Sequence, residues 1–194
     1  MEIPQKNPIF CVSCIDKRFD ALTTNYFEST EFRLNYYSGT TAGAGLPLGY
    51  KQYCTEIFKC NCTLDICTPC NPLNPDMELL ERSLIRNIEI ALTLDPIPEI
   101  YIINHQDCGA IKAFLACSGY PETLGGNNPL EIKINSELLF FAKNYVNFRF
   151  PDIKVRLGLI DVNGTVADFD EKYQTWDLVY RGFGANPLGL WYGL

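Results

Sequence analysis

The sequence predicts an α/β fold: a single domain with a mainly parallel central sheet flanked by helices. Three observations carry that expectation. Residues 9–15 and, within a strand expected at 97–104, residues 100–103 are apolar runs, and 154–161 alternates before becoming apolar, as strands covered on both faces do. Segments of helical period lie at 76–94, 108–117 and 130–147, so strand and helix alternate along the chain. No internal repeat or low-complexity linker divides the 194 residues, a length that fills one core and is short for two.

Composition narrows the functional classes. A chain that is 47% hydrophobic and 20% charged belongs with soluble globular proteins rather than disordered ones. Its net charge of -7 and pI near 4.7, with no basic run, argue against a nucleic-acid partner. The first eight residues lack the apolar core of a secretion signal, and no later stretch is long enough to span a bilayer. The expectation is a cytoplasmic protein with no membrane partner. In a reducing compartment the nine cysteines are thiols or metal ligands rather than a disulfide framework.

Taken in order, residues 9–15 form a first strand that Asp16, Lys17 and Arg18 close with charge. Cys11 and Cys14 make a C-x-x-C, which invites a thiol-redox reading, ranked last here. Positions three apart on a strand face opposite ways, so Cys14 is the candidate ligand and Cys11 a core residue. A second strand is expected at 33–38, followed by a small-residue loop, 39–45. That loop lacks the ending of a P-loop, and a close backbone approach to another part of the site is the more economical use of its glycines.

Residues 54–75 read as a cysteine-rich insertion. Cys60, Cys62, Cys67 and Cys70 lie within eleven residues, either a second metal site or a surface insertion without metal. In 76–94, Leu79, Leu80, Leu84, Ile88, Ala91 and Leu92 recur at helical spacing, and Asp95-Pro96 stops the helix. The strand at 97–104 then delivers His105, the only histidine, at its carboxyl end, and a helix runs on from Cys108. After the strand at 154–161, Asn163-Gly164 marks a hairpin with 165–169 returning. The glycine- and aromatic-rich tail, 182–194, packs either on the core or on a partner chain.

A lone histidine on an apolar strand is often only a satisfied core residue. Here Cys14 and His105 both fall at the carboxyl ends of strands, where α/β sheets hold ligands, and Cys108 follows three residues later. Two thiolates and an imidazole form a soft donor set that favours Zn2+ and leaves a fourth position open. Asp16, two residues beyond Cys14, points to the same side, with Arg18 placed to pair with it.

These residues resemble a known family. Cys14-Ile15-Asp16-Lys17-Arg18 matches the C-x-D-x-R motif of the β-class carbonic anhydrases, and His105-Gln106-Asp107-Cys108-Gly109 matches their H-x-x-C-G motif. The resemblance covers most of the chain apart from the cysteine insertion and the tail. It implies zinc held by Cys14, His105 and Cys108, with Asp16 and Arg18 as the catalytic dyad. It also implies reversible hydration of CO2 to bicarbonate by a zinc-bound hydroxide, and assembly as a homodimer or higher homo-oligomer. Some members have a closed form in which this Asp ligates zinc, a state that pairing with Arg18 opposes.

The departures from the family bear on the pocket. Lys17 stands where the family commonly has Ser, and Asn104 where it has Gly. Of the Arg-Asn-Ala-Gly-Asn-like loop that lines the family's pocket, only Ala42-Gly43 survives. Two alternatives therefore stand beside CO2 hydration: a related zinc hydrolase acting on COS or CS2, and a non-catalytic zinc-binding relative.

Overall fold

The computed structural model describes residues 7–29, 35–59, 74–116, 129–170 and 175–180. Cys60, Cys62, Cys67, Cys70 and the tail at 182–194 lie outside the described residues. Eleven elements follow in order: β1 (Ile9–Cys14), α1 (Lys17–Ser29), β2 (Tyr36–Thr41), α2 (Leu46–Glu56), α3 (Asn74–Leu94), β3 (Glu99–His105), α4 (Gly109–Ala116), α5 (Pro129–Arg149), β4 (Lys154–Ile160), β5 (Val166–Asp170) and β6 (Thr175–Tyr180). They build a six-stranded sheet in the order β2-β1-β3-β4-β5-β6. The pairs β1·β2, β1·β3 and β3·β4 are parallel; β5 and β6 add an antiparallel edge. Among the described residues no helix is long and apolar enough to cross a membrane.

The continuous apolar runs became the inner strands, β1, β3 and β4, as expected. β1 is buried at every position and β3 at every position after Glu99. One face packs Phe10, Val12, Ile100 and Ile102 against Ile85 and Ile88 of α3 and Ile132 and Leu139 of α5. The other packs Cys11, Tyr101 and Ile103 against Phe19, Tyr26 and Phe27 of α1. Cys11 and Cys14 thus fall into separate clusters, each a free thiol, and the thiol-redox pairing has no geometric basis. Burial pushes the Cys11 thiol well up.

Three elements were not anticipated: α1, α2 and β6. In α1, Asp16 accepts the Arg18 backbone N–H at 3.0 Å, the capping bond that starts the helix. The expected second strand is shifted: β2 runs through Gly39 to Thr41 rather than stopping at residue 38. Parallel pairing with β1 carries it on, Val12 opposite Gly39 and Cys14 opposite Thr41. Gly39 lacks a side chain because Leu84 and Phe10 pack over it; a Cβ there would lie 2.7 Å from Leu84 Cδ1. The start of the expected insertion also moves, since Cys54 is a buried residue of α2.

Helix α2 follows the loop after β2 and lies against α5, so its seating bears on that loop. Gly49 permits the contact: a Cβ there would stand 2.5 Å from the Leu138 carbonyl oxygen and 3.0 Å from the Ala142 nitrogen. On the opposite face of the sheet, Tyr101 donates its O–H to Asp168, and its hydroxyl lies 3.2 Å from that of Tyr26. Arg156 pairs with Asp168 and Glu99 and lies over the Tyr101 ring.

Two expectations follow. Gly→Ala in a helix normally gains about 1 kcal/mol, but in Gly49→Ala the new methyl meets backbone that cannot yield. The sign should reverse to a loss of roughly 1–3 kcal/mol, read from urea unfolding. Burial, with the Asp168 charge adding to it, pushes Tyr26 up to about 12, and Tyr101 is raised the same way. A raised pKa means the neutral phenols favour the folded state. That contribution is complete below the ordinary tyrosine value near 10 and is lost as pH climbs through about 12. Absorbance titration of tyrosinate should show these two ionising together with loss of the far-ultraviolet circular dichroism signal.

Candidate metal centre

The centre assembles where β1, β2 and β3 end. Cys14 is the last residue of β1 and His105 the last of β3. Cys108 arrives through a tight reversal: Asp107 adopts φ 58°, and the Cys108 carbonyl then accepts the Lys112 N–H at 2.9 Å to open α4. Aspartate tolerates the left-handed region better than most side chains do. One sulfur of Cys14, one of Cys108 and one ring nitrogen of His105 lie within 4.8 Å of one another, all buried.

Each donor is oriented. His105 stacks on Phe19 of α1, ring centroids 4.0 Å apart. Its Nδ1 lies 2.7 Å from the Gln106 carbonyl oxygen. A carbonyl only accepts, so Nδ1 carries the proton and Nε2 keeps its lone pair. That Nε2 is buried and has no hydrogen-bond partner among the described residues. The Cys14 sulfur accepts the Gly43 backbone N–H at 3.4 Å, delivered by the left-handed turn of Gly43 (φ 76°) and Ala44 (φ 48°). The small residues of this loop therefore do bring backbone against the site.

The two sulfurs sit 3.9 Å apart and share a hydrogen bond. That bond holds the Cys14 thiol down, while the same bond and burial push Cys108 up; the N–H groups of Ala110 and Ile111 pull Cys108 the other way. The pair gives up its first proton readily and its second reluctantly, because two buried thiolates repel each other. A divalent cation between them removes that repulsion and balances both charges. The orphaned Nε2 completes a donor set of the kind zinc prefers. The Cys14, His105 and Cys108 cluster fits a zinc site.

Beside the cluster, Arg18 engages both oxygens of Asp16, through Nε at 3.0 and 3.1 Å and Nη2 at 2.6 Å. The Arg18 guanidinium holds the Asp16 carboxyl down at about 2. Arg18 is itself clamped by Asp107, whose carboxylate it meets at 2.7 Å and whose carbonyl it meets at 3.0 Å. Asp107 also pairs with Lys112, and Lys112 and Arg18 together lower its pKa.

The sequence-derived residues Cys14, Asp16, Arg18, His105 and Cys108 therefore converge at one end of the sheet. Sequence reading gave no role to Phe19, Asp107, Lys112, Glu131 or Asn135. Glu131, 2% exposed, accepts the Asp107 backbone N–H and is raised by burial. A signal for this one was available: Glu131 and Asn135 sit four apart, among apolar positions such as Ile132, Ile134, Leu138 and Leu139.

No family model matches the chain. An uncharacterized protein of Rickettsia bellii (strain RML369-C) is 26% identical over 92 residues, 47% of this chain; the match spans about half of that relative, 53%. Among solved structures, the β-carbonic anhydrase CcaA superposes with a TM-score of 0.51 at 13% identity, over 90% of this chain and 85% of that one. A carbonic anhydrase from Glaciozyma antarctica matches at TM-score 0.46 and 14% identity, over 86% and 84%. β-Carbonic anhydrase isoform I from Trichomonas vaginalis gives the same score and identity over 87% and 86%. The fold is thus β-carbonic-anhydrase-like: one α/β domain with a mainly parallel sheet.

Titration with Co2+ should give thiolate-to-cobalt charge-transfer absorption from this cluster, isolated as the difference from a C14A/C108A protein. His105→Ala should weaken the binding behind that band by more than the roughly 10–100-fold typical of residues that merely orient a ligand.

Proposed function

We propose that the protein is a zinc-dependent carbonic-anhydrase-like lyase that interconverts CO2 and bicarbonate. The observation that supports this is the buried group of two sulfurs and an orphaned imidazole nitrogen, set beside a carboxylate that Arg18 keeps ionised. Cys14, His105 and Cys108 would hold the ion. Zinc there would supply the Lewis acidity that makes water a nucleophile near neutral pH.

The chain's own residues supply the rest. Asp16 is a carboxylate throughout the physiological range and so only accepts hydrogen bonds. Three Arg18 N–H groups already cover both of its oxygens, the Nε–H shared between them, which leaves the carboxylate room for about one further donor, and through it Asp16 would orient the attacking water. Arg18 fixes the carboxylate and, by occupying both oxygens, opposes its collapse onto the ion. His105 is the only histidine and its free nitrogen is committed to the ion, so carboxylates and solvent must carry the proton to buffer. The same proposal includes a homodimer or higher homo-oligomer, which rests on the resemblance alone.

Stopped-flow assays of zinc-loaded protein between pH 7 and 9 should show CO2 hydration. Asp16→Asn should lower kcat/KM by roughly 10²–10⁴-fold with zinc still bound. Zinc-loaded protein inert toward CO2 sinks the proposal. Sulfide release from COS or CS2 would then reassign the substrate, and silence toward all three would mark a zinc-binding relative without catalysis.

A further inference from the structure

Asn104 interrupts an otherwise apolar strand, and its carboxamide is 1% exposed. Its oxygen accepts the Gly45 backbone N–H at 2.9 Å, and its nitrogen donates to Asn135 Oδ1 at 3.2 Å. Asn135, fully buried on α5, in turn donates to the Glu131 carbonyl at 3.1 Å, and the Glu131 carboxylate accepts the Asp107 N–H. One helix face is therefore tied by hydrogen bonds to two turns. The first runs from Gly43 to Gly45 and delivers the N–H that reaches the Cys14 sulfur. The second is the left-handed reversal at Asp107 that folds Cys108 back toward His105.

The first turn also lies close to the start of α4: a Cβ at Gly43 would stand 3.4 Å from that of Ala110, two residues past Cys108. Space at Gly45 is equally close, 3.3 Å to Asn104 Oδ1 and 3.4 Å to the Ala142 Cβ. Both turns contain non-glycine residues at positive φ, Ala44 and Asp107, a conformation that L-residues seldom adopt. Such turns persist only where neighbouring groups hold them.

We infer that Asn104, Asn135 and Glu131 form a bracket of positioning residues that sets both thiol ligands, Asn104 and Asn135 through the N–H to Cys14 and Glu131 through the turn before Cys108. The inference rests on the metal-binding reading of the cluster. Loss of the N–H bond to sulfur raises the energy of its donor electrons, so thiolate-to-metal charge transfer moves to lower energy.

The test uses full-length protein loaded with Co2+, read as the difference from C14A/C108A, and Zn2+ affinity by chelator competition. Asn104→Leu and Glu131→Ala should each weaken Zn2+ binding about 10–100-fold, and Asn104→Leu should shift the cobalt charge-transfer band to lower energy. Glu131→Gln, which keeps an acceptor for the Asp107 N–H group, should stay near the parent. Val155→Ala, which opens a cavity at the amino end of β4 opposite Ile100 and away from both turns, should leave the band in place. A band and affinity unchanged in Asn104→Leu and Glu131→Ala overturn the inference and leave the metal site standing. Equal shifts in Val155→Ala overturn it too, as mere loosening. A parent that shows no difference band removes the metal reading and the bracket together.

Discussion

The pairing of β1 with β3 is the constraint on which the rest of the site depends. The two strands run parallel, with Phe10 opposite Ile100 and Val12 opposite Ile102, so their carboxyl ends emerge side by side. Cys14 and His105 are the last residues of those strands, and residues far apart in the chain become neighbours by register alone. Parallel pairing also obliges the chain to cross over through helices, which places α1 on one face and α2, α3 and α5 on the other. The crossover after β1 brings Phe19 under the His105 ring, and α5 brings Glu131 to the turn before Cys108. The scaffold and the donor geometry are one construction.

Burial then decides the chemistry. Two thiols and an imidazole held away from solvent are poor company for each other without a cation. One sulfur takes the negative charge, its neighbour resists ionising, and the imidazole keeps a lone pair with no donor. Such arrangements cost free energy in any protein that uses them only as packing. By contrast, Asp16, Arg18, Asp107 and Lys112 alternate in sign along the rim, where each charge is at least part-solvated and each has an opposite partner. The interior is left wanting a cation, while the rim is satisfied by itself.

Much of this was legible in the sequence because it rests on short-range pattern. Continuous apolar runs marked the inner strands, strand parity separated Cys11 from Cys14, and motif spacing paired His105 with Cys108 and Asp16 with Arg18. What escaped rests on tertiary context. Helix α1 begins at a charged Lys17-Arg18 pair and was hidden until Asp16 was seen to cap it. Strand β2 passes through a glycine that reads as a loop until Leu84 is found packed over it. The clamp on Arg18 needed Asp107, whose left-handed backbone no local pattern announces. The support from Asn104, Asn135 and Glu131 joins residues that share no motif.

Asn104 also gives the loop after β2 a physical account. A glycine at that position would leave space beside Gly45. Here the carboxamide fills the space and bonds the backbone, so the loop can be made of Gly43, Ala44 and Gly45, which carry no functional groups. Polar support for the loop therefore comes from a strand residue buried beneath it rather than from side chains of the loop itself, and the backbone N–H that reaches the Cys14 sulfur is held without them.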